Sequence, residues 1–505
     1  MNDLFCRRWL RGFWLILAVL AGVVFVFRLD AMVRQGPYYV TTGFEDISIY
    51  NISQIRYGAP VYTDCFEYPY RASLFNWLFY LIHGSAATLL NPSEEALPTC
   101  LRLVTLAWTL AGFGVTLWLL RGGDTITTLA LAFVAWFGPL IGWWSMTVRP
   151  DVPALVCEML GLTLIVRGDS RLSAGRAVAA GVAFFLAWSF KQSAIGIFAG
   201  SMLALLLRRE WFNLGVVAGM FVALTGLVLL LASPAYYLNM FVAPSLASFE
   251  MRQLHVVLFW VRALWGPVIV LALLLFLALP RPARGQLVQA RPVGIATVVL
   301  GVVLVLNVLA ARRPGGSPNY FFESWLIGMS LVGMVQQTAA NEPKAFAAPL
   351  PRLLLIAGPL FLLVYCVHWT LPIFDPLDKP ATQPVEIMLR LPRAPYPPEL
   401  LEAVRTSPRP ILCDDTFLLR QALGAETAGL PVVDHTIYWD ASRAGRLAHP
   451  DVQERIQNRE YVNIWLDTGR SDWDWEPFVL KAGYVLLKDD GTLRQYTRPP
   501  TASRP

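Results

Sequence analysis

The chain has 505 residues, of which 56% are hydrophobic and only 15% charged, and a formal net charge of +6. Soluble domains carry roughly 25% charged residues, so an ordinary soluble protein is excluded for most of the length. The positive balance does not call for nucleic acid: Lys and Arg cluster in short loops between apolar runs, and no basic stripe with interleaved aromatics is present.

The N-terminus joins a basic flank (Arg7, Arg8, Arg11) to an apolar run of signal-anchor length, which reads as an uncleaved first span at 13–33. The first outer loop, 34–97, then holds a polar stretch from Phe44 to Arg71 with the acids Glu45, Asp46, Asp64 and Glu67, the cations Arg56 and Arg71, and many aromatics. A loop of this kind is either a plain connector or an active site at the bilayer surface. The run 73–90 carries Asn76 and His83 beside Trp77, Phe79 and Tyr80, and it reads as a helix lying on the membrane surface.

Further apolar runs lie near 98–120, 125–147, 152–167, 176–190, 193–207, 212–233, 256–279, 292–311, 320–336 and 351–373. A helix needs about 20 apolar residues to cross a bilayer, and short ones can tilt or borrow neighbours. With the first span the count is about eleven. The cytoplasmic loops then hold Arg121; Arg167, Arg171 and Arg176; Arg208 and Arg209; Arg281, Arg284 and Arg291; and Lys344 and Arg352. Each is basic, as the positive-inside rule requires. The N-terminus is therefore expected in the cytoplasm and the C-terminal region outside.

Most of the outer loops also carry cations: Arg149 (with Asp151), Lys191, Arg252, and Arg312 with Arg313 just before Tyr320. Cations are scarce on that face, and an anionic ligand would explain them, since Arg and Lys are the usual phosphate partners. Ionisable residues inside the spans are few: Arg102, Glu158, Arg262 and Glu323. Ion-coupled carriers usually place such groups at mid-membrane depth. A Pro-rich linker at 374–410 leads to a small extracytoplasmic α/β domain at 411–505. Strands are expected at 411–415, 431–434 and 461–466, helices at 416–423, 451–458 and 476–482, and a final hairpin turning at Asp490-Gly491. Asp414, Asp415, Asp434 and Asp440 read as caps and turns. Cys65 and Cys413 fall on the same outer side, and two free thiols are favoured over a bridge.

The first outer loop resembles that of the GT-C membrane glycosyltransferases, especially glycosyltransferase family 39, the aminoarabinose-transferase and protein O-mannosyltransferase group. The resemblance rests on Asp46 and Tyr50, Gly58, the segment Phe66-Glu67-Tyr68-Pro69 before an interfacial helix, Arg149-Pro150-Asp151, Lys191-Gln192 and Asn319-Tyr320. Ile47 stands where that pattern has an acid, with Glu45 as a stand-in, and Tyr68 stands where it has a lysine. The resemblance implies a polytopic all-α membrane protein, residues 1–373, that transfers a sugar with inversion from a polyprenyl-phosphate donor to a lipid, glycan or protein acceptor. This would occur at the outer face of the plasma (inner) membrane. It assigns Asp46 and Glu67 to catalysis, with a divalent cation (Mg, Mn or Zn) as an optional cofactor on the same pair. Substrate contacts would come from Glu45, Tyr50, Arg56, Arg71, Arg149, Asp151, Lys191, Arg312, Arg313 and Tyr320. The competing readings are a transporter or flippase of lipid-linked saccharide and a non-enzymatic envelope assembly protein.

Overall fold

A computed structural model describes residues 3–35, 45–138, 140–142, 144–167, 172–247, 251, 254–255, 291–312, 318–341, 396–433, 435–467, 475–489, 491 and 493–498. The expected spans 256–279 and 351–373, most of the linker, and Arg313 and Asp434 lie outside these residues. Among the described residues before 342, the helices longer than ten residues are α1 (Asp3–Gln35), α2 (Glu45–Arg56), α3 (Trp77–Leu90), α4 (Leu97–Leu119), α5 (Thr125–Phe137), α6 (Asp151–Val166), α7 (Ala174–Phe190), α8 (Gly196–Leu207), α9 (Trp211–Leu231), α10 (Arg291–Ala310) and α11 (Phe322–Asn341). Among the described residues three of them, α4, α9 and α10, are long and apolar enough to cross a membrane by themselves. The run expected at 125–147 is broken. Helix α5 stops at Gly138, which is extended because a proline follows it, and the chain continues through a turn to a short 3-10 helix at Trp144–Met146.

Close packing within the bundle depends on small residues. Helix α8 lies against α10, and a Cβ on Gly200 would come 2.7 Å from the Val299 backbone. Helix α6 packs on α4 and α7, and α7 on α9. Helix α3 is one-sided: Phe79, Tyr80, His83 and Ala87 are buried, whereas Leu81, Leu89 and Leu90 are exposed. Asn76 fixes its start, accepting from the Trp77 amide at 2.8 Å and donating to the Trp188 carbonyl at 2.8 Å.

The C-terminal region contains α12 (Pro398–Thr406), β1 (Ile411–Cys413), α13 (Thr416–Leu423), α14 (His435–Arg443), α15 (Val452–Gln457), β2 (Asn463–Asp467), α16 (Glu476–Lys481), β3 (Val485–Asp489) and β4 (Leu493–Thr497). The sheet order is β1-β2-β4-β3, with β1 parallel to β2 (Ile411 opposite Asn463) and the other pairs antiparallel. Asp415 caps α13, accepting from the Phe417 and Leu418 amides at 3.0 Å each, and Asp451 with Glu454 forms a capping box on α15. Asp414 accepts from the Asp467 amide at 2.7 Å and ties the ends of β1 and β2. Cys65 and Cys413 are buried in separate cores.

The strand expected at 431–434 does not form over its described residues 431–433. The reason is tertiary: the Val432 amide donates to the Pro69 carbonyl of the first outer loop at 3.3 Å. That bond belongs to a continuous seam. The Ala448 amide donates to the Phe66 carbonyl at 2.9 Å, and Tyr70 Oη donates to the Ala448 and Pro450 carbonyls at 3.1 and 3.0 Å. Tyr50 Oη donates to the Thr427 carbonyl at 2.9 Å, and Gln54 Nε2 to Thr427 Oγ1 at 2.7 Å. The Arg420 guanidinium, 1% exposed, meets Glu94 at 2.7 Å. The apolar cores follow the same seam. Tyr50 packs with Leu418 and Val432, and Phe66 and Tyr70 pack with Tyr438 and Trp475.

Burial pushes the Tyr50 phenol up to about 12. Its folded pKa exceeds the unfolded one, so the neutral phenol contributes stability that is full below about pH 10 and is lost as pH rises toward 12. Tyr50→Phe is expected to cost about 1 kcal/mol at neutral pH. It should also flatten the alkaline limb of the melting curve between pH 10 and 12, measured on the full chain.

Candidate active site

The site is built on one buried ion pair. Glu45 and Arg102 are both fully buried, and Arg102 Nε donates to Glu45 Oε1 at 3.1 Å, which pins the start of α2 to α4. The same Oε1 accepts from the Val148 amide at 3.2 Å. The outer turn before α6 is thereby drawn onto the start of α2. Asp46 follows Glu45 in the first turn of α2, and Arg149 follows Val148; both are buried, 4% and 8% exposed. Arg149 lies over the Trp144 ring at 5.8 Å.

Asp151 opens α6 and gathers residues from two further loops. Lys191 Nζ donates to its Oδ1 at 2.7 Å, and Asn319 Nδ2 donates to the same atom at 2.8 Å. Lys191 also lies 5.5 Å from the centre of the Tyr320 ring. Burial works against the lysine charge, but Asp151 and Tyr320 outweigh it and hold its pKa above the ordinary lysine value. These residues face a cavity of about 650 Å³. Its walls include Asp151, Lys191, Asn319 and Tyr320, with Trp188 and Gln192 beside them. Glu158 and Glu323 line it also, and Asp440 reaches it from α14. A single cavity thus joins the membrane helices to the C-terminal region.

The other expected site residues are placed differently. Asp46 is buried and Glu67 is exposed in the turn 66–69; neither of them lines the cavity, and nor does Arg149. Tyr50 belongs to the seam described above. Arg56 pairs with Glu94 at 3.3 Å and donates to Asn91 Oδ1 at 2.9 Å; Arg71 is buried and donates to the Pro60 carbonyl. Arg312 follows α10 and is half-buried, and Arg313 lies outside the described residues. At Tyr68, where the related pattern has a lysine, the Arg455 guanidinium of α15 lies 4.6 Å above the ring. Glu94 was not expected, yet it receives Arg56, Arg420 and the Tyr57 hydroxyl. Glu158 and Glu323 were visible as rare acids in apolar runs, a pattern that marks function by default.

Among the described residues no three His, Cys, Asp or Glu side chains converge as a metal site. A buried Asp46 and an exposed Glu67 do not make the convergent oxygen set that a divalent cation needs. No step below is routed through a metal.

Removing one partner of a buried pair leaves an uncompensated charge and costs about 3–5 kcal/mol, whereas replacing both by apolar groups is often neutral. Glu45→Ala should therefore lower the stability of the full chain by about that amount. The double variant Glu45→Leu/Arg102→Met should recover most of it, as read by thermal melting in detergent.

No protein-family model matches the sequence, and no curated relative matches it. Solved structures do. ArnT from Cupriavidus metallidurans bound to undecaprenyl phosphate superposes with a TM-score of 0.57 at 13% identity, over 96% of this chain and 98% of that one. The apo state of the same protein gives 0.54 at 14% identity, over 94% and 97%. The archaeal oligosaccharyltransferase AglB from Archaeoglobus fulgidus, in complex with an inhibitory peptide and a dolichol-phosphate, aligns at 0.47 and 12% identity over 95% and 74%. The near end-to-end likeness to ArnT shows that this chain shares that protein's fold, as the motifs of the first loop lead one to expect.

Proposed function

We propose that the protein is a membrane glycosyltransferase that moves a sugar from a polyprenyl-phosphate donor to a lipid, glycan or protein acceptor at the outer face of the plasma membrane. The observation that carries this reading is the cavity bounded by Asp151, Lys191, Asn319 and Tyr320, with Asp151 three residues after Val148, whose amide binds Glu45, the neighbour of Asp46 in sequence. Its fold is shared with a protein that binds undecaprenyl phosphate.

In this reading Asp46 is the general base. It takes the proton of the acceptor hydroxyl, whose oxygen attacks the anomeric carbon. The bond from that carbon to the phosphate oxygen breaks, and polyprenyl phosphate leaves with the electron pair. Attack from the opposite face inverts the anomeric centre. Arg149 is the principal cation for the leaving phosphate. Lys191, already balanced by Asp151, positions the turn; Arg312, which follows α10, and Arg313, next to it in sequence, are further candidates for the phosphate. Glu67 stands at the seam, where it would meet an acceptor rather than the donor. The N-terminus is cytoplasmic and the C-terminal region extracytoplasmic.

One observation favours a second reading. Glu158 and Glu323 are acids within membrane helices, as carriers use. The two readings separate on purified full-length protein supplied with undecaprenyl-phosphate sugars. Glycosyl transfer by the wild type is expected, and Asp46→Asn should reduce kcat by at least about 100-fold with an unchanged melting curve. Full transfer by Asp46→Asn would sink the mechanism. Absence of transfer together with movement of lipid-linked sugar across vesicles would establish the carrier.

A further inference from the structure

The cavity holds more acid than this reaction requires. Its charged lining residues are the acids Asp151, Glu158, Glu323 and Asp440 and the base Lys191. Asp151 is engaged by Lys191 at 2.7 Å, and Asp440 by Arg443 at 2.5 Å. Glu158 and Glu323 have no ion pair among the described residues. They face the start of α8 from α6 and α11. Glu158 is fully buried and its Oε1 accepts from the Ile197 amide at 3.4 Å. A Cβ at residue 196 would stand 2.2 Å from Glu323 Oε2, so only the glycine there lets that carboxyl into place. The Oε2 atoms of both are shut off from solvent, and neither finds a hydrogen-bond partner among the described residues. Gln192 Oε1, on the same cavity, is likewise buried and without a donor.

Buried polar atoms left in this state cost free energy unless a ligand satisfies them. A phosphate is the wrong ligand, because it would add negative charge beside unpaired acids. A prenyl chain is also wrong, since hydrocarbon offers no hydrogen bonds. A neutral polyhydroxyl ring fits. Its hydroxyls donate to the unsatisfied carboxyl oxygens and to Gln192.

We propose that Glu158 and Glu323 form the sugar subsite, selecting the transferred ring by its hydroxyl groups while the phosphate stays on the Arg149 side. This rests on the glycosyltransferase reading and adds to it a specificity-determining pair. The full-length protein in detergent is titrated with undecaprenyl phosphate and with a panel of undecaprenyl-phosphate pentoses and hexoses, following thermal stabilisation. The wild type should bind at least one glycosylated lipid about tenfold more tightly than undecaprenyl phosphate. Glu323→Gln and Glu158→Gln should lose that gain yet keep their affinity for undecaprenyl phosphate within about twofold, and Gly196→Ala, which displaces Glu323, should do the same. A deoxy sugar lacking the selected hydroxyl should bind wild type and variants alike. The proposal is overturned if the wild type gains nothing from any sugar, if the variants keep the gain, or if they weaken both lipids equally, which would make the pair structural. If the wild type binds neither lipid, the glycosyltransferase reading falls and the subsite falls with it.

Discussion

The arrangement depends on a charge that has no exit to water. Glu45 and Arg102 are both fully buried, so each must have the other. That requirement pins α2 to α4, and the same carboxylate oxygen that holds Arg102 also takes the Val148 amide. From there the chain runs through Arg149 to Asp151, which collects Lys191 and Asn319 from two further outer loops. Loops scattered over some 270 residues of sequence (Glu45 to Asn319) therefore meet through a relay of carboxylates.

The first outer loop has two sides and lends each to a different core. Ile49 and Ile52 pack toward Phe79, Val148 and Phe190 in the membrane part, whereas Tyr50 packs with Leu418. Phe66 and Tyr70 lie among aromatics of the C-terminal region. This explains why so polar a stretch is ordered: its hydrophobic minority is buried on both faces, and Glu94 and Arg420 close the remaining gap. It also explains how Asp440, far along the chain, comes to line the same cavity as Glu158.

Much of this was legible in the sequence where the deciding physics was local. Helix α3 declared itself through its mixed faces, and α13, α15 and α16 were expected close to where they form. The resemblance in short motifs singled out Asp151, Lys191, Asn319 and Tyr320, which the fold brings to one cavity. Other features were decided by partners that no window of sequence contains. Val432 reads as a strand residue until Pro69 claims its amide. Arg56 and Arg71 look like ligands for an anion, because a loop cation reads the same whether or not Glu94 or Pro60 already holds it. Glu158 and Glu323 sit on different helices, and nothing in either run reveals that the other lies opposite.

The seam has a consequence in time. Tyr50 and the Thr427 carbonyl that it bonds are 377 residues apart. At ~5–20 residues per second the ribosome needs roughly 20–75 s to make that stretch. Throughout that interval α2 and the turn 66–70 have only half of their burial partners. The outer loop is thus a surface in waiting, held to the bundle by Glu45 and Arg102 and closed only when the last strands emerge. A chain that stops short of α13 would carry an unroofed acidic cavity and a row of bare aromatics, the marks by which quality control recognises an unfinished protein.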